Sequence, residues 1–271
     1  MGQKTKIIMT LAVIVYLALL LILFLAQRKL QYVPFGKIQE ISHYRLKGFS
    51  EIFLTTSDGI KIFAWYKKPD ITKDKIILYF HGNAGNMGDR ADKFAALSDA
   101  GFGVLAISYQ GYNKSEGKPS EQGFINNSKA ALQFLFDNGY KPNDIILFGE
   151  SIGSGVAVQL AATFYDKFDF AALFLESPFA SIAEVAQQTY WFAPVSLLLK
   201  DKFESEKYVG KIKAPILIIH GDKDKIVPIA QGKKLYAAIT ARKKFIEISG
   251  VGHLEFSEEF LVKELEKFLK E

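Results

Sequence analysis

The sequence predicts an α/β architecture built on a mostly parallel central sheet, and three observations carry that expectation. Short apolar runs alternate with longer helix-patterned stretches from Ile76 to the C-terminus, the order of strand-helix units that cover a parallel sheet on both faces. The runs are β-branched and aromatic without polar alternation, as strands buried on both faces must be. Ahead of them, Glu51–Thr56 and Lys61–Tyr66 flank Ser57-Asp58-Gly59, and an Asp-Gly between strand patterns is a hairpin signal that sets an antiparallel edge before the parallel core. A chain of 271 residues that is 49% hydrophobic is long enough to bury a full core. Neither an internal repeat nor a low-complexity tract interrupts it.

In chain order the first element lies outside the sheet. Ile7–Ala26 carries no charge and, at about 1.5 Å per residue, reaches across a hydrocarbon core about 30 Å thick. A cleaved signal peptide has a shorter apolar region and a small residue two before its cut, which Phe24-Leu25-Ala26 lacks. The reading is therefore a single-pass membrane anchor over 1–30, a linker over 31–50 and a folded domain over 51–271. Lys4 and Lys6 on one flank compete with Arg28, Lys29, Lys37, Arg45 and Lys47 on the other, so charge bias assigns the domain to neither side.

Within the domain, the strand Lys75–Phe80 runs into the glycine-rich His81-Gly82-Asn83-Ala84-Gly85 and a helix over Asp89–Ala100. A strand at Gly103–Ser108 follows, then one at Ile145–Phe148 that meets Gly149-Glu150-Ser151-Ile152-Gly153 and an apolar helix. The strand Ala172–Leu175 ends at Glu176. Between Glu176 and the strand Pro215–His220 the chain is longer than a simple crossover needs, and Thr189–Leu199 in it is aromatic and aliphatic, a composition equally suited to packing on the sheet or touching a bilayer. The strand Lys244–Ile248, the loop Gly250-Val251-Gly252-His253 and an amphipathic helix Glu258–Lys270 close the chain.

Chemistry concentrates at the ends of these strands. A G-x-S-x-G pentapeptide between a buried strand and a helix exposes a serine on a strained turn, with glycines where strand and helix would otherwise collide. Gly and Ser are common, so the pentapeptide alone decides nothing. A serine hydroxyl needs a histidine base oriented by a carboxylate. Of the four histidines, His253 sits in a loop at a strand's C-terminal end, where open α/β sheets place their sites. His43 precedes the domain, His81 opens a loop, and His220 ends a strand; each has a structural explanation. The acid is Asp222 or Asp224 in Gly221-Asp222-Lys223-Asp224, or Glu176 one strand earlier. The loop at His81 leaves backbone N–H groups free to face an oxyanion, or equally serves as a plain turn or a phosphate nest.

Taken together, His81-Gly82-Asn83-Ala84-Gly85-Asn86, Tyr109-Gln110-Gly111-Tyr112-Asn113-Lys114-Ser115-Glu116-Gly117, the Ser151 turn, Gly221-Asp222-Lys223-Asp224 with Val227-Pro228, and Gly252-His253 make the chain resemble the α/β-hydrolase superfamily. The likeness runs from about Glu51 to the end and points to its membrane-anchored, lipase- and serine-aminopeptidase-like branch. It implies an α/β-hydrolase fold with a small cap, here 177–212, between strands 6 and 7. It selects Asp224, the aspartate of G-x-x-D-x-x-V-P, as the acid beside Ser151 and His253. The oxyanion donors it implies are the amides of Asn83 and Ile152. Ser108, Gln110 and Asn113 depart from the family loop D-Y-R-G-Y-G-x-S-x-G; Asn tolerates the left-handed conformation, so the turn is expected to survive without the Asp and Arg.

The expected activity is cleavage of an ester, thioester or amide through an acyl-enzyme, with a small-molecule or lipid-linked acyl substrate, membrane lipids around the anchor, and no cofactor or metal. The alternative is a catalytically silent, membrane-tethered binding module. A net charge of +5 is spread over scattered lysines without interleaved stacking aromatics, which argues against nucleic acid. The absence of cysteine excludes disulfides and a thiol nucleophile.

Overall fold

A computed structural model describes residues 2–70 and 73–271. Met1, part of the anchor assignment, and Ile71 and Thr72 of the domain lie outside the described residues. The main sheet has eight strands among those described: β1 Ser50–Thr55, β2 Lys61–Lys67, β3 Ile76–Phe80, β4 Gly103–Ile107, β5 Ile145–Glu150, β6 Ala172–Glu176, β7 Ile216–Gly221 and β8 Lys243–Ile248. Their spatial order is β8-β7-β6-β5-β3-β4-β2-β1. β1 and β2 pair antiparallel across the Asp-Gly turn, β2 pairs antiparallel with β4, and every later pairing is parallel. This is the α/β-hydrolase arrangement, with the expected antiparallel edge.

Helices pack on both faces because the strands present apolar side chains to both. Ile76, Leu78 and Phe80 of β3 enter one core cluster with Val156 and Leu160 of α4 (Ile152–Thr163) and Leu132 of α3 (Glu121–Asp137). Ile77 and Tyr79 point the other way, among Phe94 and Leu97 of α2 (Ala91–Asp99) and Leu261, Leu265 and Phe268 of α9 (Glu258–Lys270). In α9 those three residues form one apolar stripe. The Ser257 hydroxyl accepts the Phe260 N–H, and Glu258 and Glu259 sit at the positive end of the helix dipole. The helix expected from Asp89 begins instead at Ala91. Ahead of it, Met87–Arg90 winds as a tighter turn because the Asn86 side chain accepts the Gly88 N–H while Asp89 accepts the Asn86 N–H.

α1 runs over Gln3–Gln31 and, by length and composition, is long enough to cross a bilayer. The following segment, divided off by sequence as a linker over 31–50, is packed onto the domain. Tyr32, Leu46 and Phe49 are buried, which removes apolar surface that a free tether would leave in water, and Val33–Pro34 pairs with Ala84–Gly85. The candidate cap 177–212 contains three short helices, α5 Ile182–Thr189, α6 Val195–Leu198 and α7 Ser205–Val209, before α8 (Ile229–Ala238) follows β7.

Candidate active site

Ser151 occupies the turn between β5 and α4 with φ 51° and ψ −117°, a left-handed backbone that costs a non-glycine residue about 1–3 kcal/mol. Its neighbours explain how the turn is held. Ser151 N–H donates to the Glu176 carbonyl (2.9 Å), and the Ser154 N–H and hydroxyl donate back to the Ser151 carbonyl (2.9 and 2.6 Å). A Cβ at Gly153 would lie 2.0 Å from the Phe80 carbonyl oxygen, and one at Gly149 would lie 2.5 Å from that of Gly153. Both glycines are thus required where α4 crosses the sheet, as the pentapeptide implied.

Beside Ser151, the loop after β8 brings in His253 and the loop after β7 brings in Asp224. Asp224 can only accept when ionised, so His253 Nδ1–H donates to Asp224 Oδ2 (2.6 Å), which leaves Nε2 as the acceptor for the Ser151 hydroxyl 3.0 Å away. Asp224 Oδ1 accepts the N–H groups of Ile226 and Val227 (2.9 and 2.8 Å). Burial alone would raise the Asp224 carboxyl, but the hydrogen bonds from His220 and His253 and the charge of His253 outweigh it and hold it well below the usual carboxylate range.

The two rival acids have other work. Asp222 accepts the Gly250 N–H (2.7 Å) and the Ser249 hydroxyl (3.3 Å), closing the loop that carries His253. Glu176 is buried against Lys93 (2.7 Å), and burial pushes its carboxyl up against the pull of that lysine. His220 is buried with Nε2–H donating to the Val227 carbonyl (2.8 Å) and lying 3.3 Å from Asp224 Oδ2, so it backs the acid. His81 donates from Nδ1 to the Gly82 carbonyl (2.6 Å), and burial, with Arg90 nearby, pushes it down to about 4. It is neutral at pH 7. His43 lies in a surface turn outside the site.

Asn83 and Ile152 border the same cavity as Ser151, Ile152 as the first residue of α4 with the positive end of the helix dipole behind it. The peptide of Asn83 is held from a direction that motif reading did not anticipate. Its carbonyl accepts the Val33 N–H (3.2 Å) and the Tyr112 hydroxyl (2.7 Å), and its side-chain amide donates to the Gln31 carbonyl (2.8 Å). The loop carrying Tyr112 keeps its turn: Asn113 adopts φ 47°, the left-handed conformation expected of it. In place of the missing Asp and Arg, the Ser108 hydroxyl donates to the Tyr112 carbonyl and the Gln110 side chain to that of Lys118.

A second feature that the sequence signalled only as the variable position of the pentapeptide is Glu150. Buried beneath Ser151, it pairs with Arg90 (2.6 Å) and Lys93 (3.4 Å) and accepts from the Tyr79 hydroxyl (2.6 Å) and the Gly82 N–H (3.3 Å). Burial would raise this carboxyl, but Lys93 and Arg90 hold it ionised. Arg90 also donates to the carbonyls of Ala84 and Asn86 (3.1 and 3.2 Å). The pair therefore ties the residue before Ser151 to the loop that carries Asn83.

The cavity has a volume of about 240 Å³ and is walled mainly by apolar side chains from two distant parts of the chain. Leu23, Phe24 and Leu30 come from α1, while Val185, Val195 and Leu198 come from the cap.

The sequence profile of the serine aminopeptidase S33 family matches residues 72–205 and 204–259. An uncharacterised protein of Mycobacterium tuberculosis is 35% identical over 229 residues, 84% of this chain and 80% of its own. The lysophosphatidylserine lipase ABHD12 of Danio rerio is 34% identical over 209 residues, 71% of this chain and 54% of the relative. An esterase of Pyrococcus furiosus shares the fold with a TM-score of 0.71 over 89% of this chain and 96% of its own, at 18% identity. The chain belongs to the α/β-hydrolase superfamily, within the serine aminopeptidase S33 family, and membership of that family makes it a hydrolase.

Proposed function

We propose that this α/β-hydrolase is a serine hydrolase that cleaves an ester, thioester or amide through an acyl-enzyme. The observation that carries the reading is the continuous relay from Ser151 to His253 to Asp224, at 3.0 and 2.6 Å, inside an apolar cavity. Ser151 Oγ attacks the acyl carbonyl while His253 Nε2 takes its proton, and Asp224 stabilises the imidazolium that forms. The Ile152 and Asn83 amides donate to the developing oxyanion, an interaction whose loss typically slows acyl transfer by about a hundred- to a thousand-fold. His253 then returns the proton to the leaving group, and water repeats the sequence to release the acid. α1 anchors the domain, 51–271, to a membrane, and the cap 177–212 closes the acyl side of the site.

The test is labelling by a fluorophosphonate, which phosphonylates an activated serine with loss of fluoride. The folded wild type should label and Ser151→Ala should not. A folded wild type that stays unlabelled, or an alanine variant that labels equally, refutes the mechanism and leaves a binding module as the reading. For the anchor, alkaline carbonate should leave the chain with the membrane; release into the supernatant refutes a spanning helix.

A further inference from the structure

α1 and the cap meet along a line. The Tyr16 hydroxyl donates to the Phe192 carbonyl (2.8 Å); Gln27 donates to the Leu198 carbonyl (3.3 Å) and accepts the Lys200 N–H (2.7 Å); Arg28 forks onto both oxygens of Asp201 (2.8 and 3.2 Å). From Tyr16 to Gln27 an α-helix rises about 16 Å, half the thickness of a hydrocarbon core of about 30 Å. Tyr16 lies at the middle of the charge-free run Ile7–Ala26. With that run across a bilayer, the cap segment 190–199 lies alongside α1 through one leaflet.

Three independent features suit that placement. Thr189–Leu199 contains no charged residue, and its apolar run ends at Lys200-Asp201, at the level where that of α1 ends at Arg28; the Lys200 ammonium folds back over the Phe24 ring at 4.3 Å. Trp191 and Leu197 are 78% and 81% exposed to water in the isolated chain, alongside the equally unpartnered apolar surface of α1. Side chains also satisfy five backbone groups of this irregular stretch, the kind of pairing that non-helical backbone needs at membrane depth. The Gln187 side chain donates to the carbonyls of Tyr190 and Ala193 (3.2 and 3.0 Å) and accepts the Val195 N–H (3.3 Å), and Tyr16 and Gln27 serve the carbonyls of Phe192 and Leu198.

We propose that cap residues 190–199 insert into the hydrocarbon of the leaflet facing the domain, so that the cavity between cap and α1 opens into lipid. The acyl chain of a membrane-resident ester then reaches Ser151 without passing through water. The cavity, smaller than the roughly 300–1,000 Å³ of drug-sized sites, suits a single acyl chain. This inference rests on the hydrolase reading for its substrate and on the anchor reading for its depth.

The chain supplies its own probe, since it has two tryptophans and Trp65 is buried in the core. With the full chain in phosphatidylcholine vesicles, Trp191 emission should be blue-shifted and quenched by lipids brominated deep in the acyl chain, and Trp191→Phe should lose that quenching. Quenching of Trp191 by aqueous iodide, with none by brominated lipid, overturns the proposal whether or not Ser151 labels. In a second arm, Leu197→Asp places a charge in the inserted segment. The ratio of turnover on a long-chain ester in vesicles to turnover on a short soluble ester should fall about tenfold or more. An unchanged ratio overturns the lipid-facing opening. Failure of fluorophosphonate labelling in the same vesicles strikes the hydrolase reading instead and leaves the quenching result to decide insertion by itself.

Discussion

The two walls of the site are built in different ways. On the sheet side, Ser151, Asp224 and His253 each sit one to five residues beyond a strand, and parallel pairing of β5, β6, β7 and β8 brings those strand ends into one row. On the apolar side, α1 and the cap meet through contacts that join residues more than 170 positions apart. The first wall is stiff because its loops are tied to buried strands and to charged pairs. The second combines apolar packing with a few hydrogen bonds and the Arg28–Asp201 pair, between two segments whose outer surfaces meet no other part of the described chain. Under the proposed mechanism, chemistry belongs to the sheet and selectivity for the acyl group to the α1-cap pair, and substitutions should separate the two.

The largest separation is expected at the acid. Asp224→Asn should lower kcat by about 10⁴-fold with little change in KM, because the amide presents the wrong partner to the His253 ring. Asp222→Asn and Glu176→Gln should cost far less; the reverse order in steady-state kinetics would move the acid. Next comes the charged floor beneath Ser151. Arg90→Met leaves Glu150 buried and short of a partner, which should cost about 3–5 kcal/mol of unfolding free energy by urea denaturation. A loss within about 0.5 kcal/mol would show that the sheet side does not depend on this pair.

His81 gives a pH test of the same wall. Its folded pKa of about 4 lies below the ordinary value of about 6.5, so between these values the unfolded chain binds the proton that the folded chain refuses. The stabilisation is full above pH 6.5 and is lost as pH falls toward 4, by about 3 kcal/mol in all. In urea titrations at pH 7 and pH 4, His81→Gln should therefore lose less stability on acidification than the wild type; an equal loss would place the acid sensitivity elsewhere. The smallest effect is expected on the acyl side. Leu23→Ala trims one apolar contact and should reduce kcat/KM for a long-chain ester about tenfold, more than for an acetyl ester. Equal losses on both esters would merge the two walls into one.

Much of this was legible in the chain before folding. Period, turn chemistry and spacing outlined the strands and the elbow, and α9 runs over the interval expected for it. The charge-free run in α1 stands out because twenty or so apolar residues are rare outside membranes. Local signals of this kind survive in one dimension because backbone sterics and burial act over a few residues. Glu150 and His220 carried no such signal. The partners of Glu150 come from β3, the turn Met87–Arg90 and α2, and His220 meets Asp224 only when the loop after β7 folds back.

The amino-acid order by itself pointed to an α/β-hydrolase with a serine on a strained turn, candidate carboxylates and then a histidine after it, and an apolar N-terminal span. Tertiary structure decided which carboxylate meets His253, how Gln31 and Val33 clamp the loop of Asn83, and that α1 walls the cavity beside Ser151. The physical reason is range. A turn or an apolar period is a property of neighbours along the chain, whereas an ion pair, a clamp or a cavity exists only where packing brings distant segments within a few ångströms of each other.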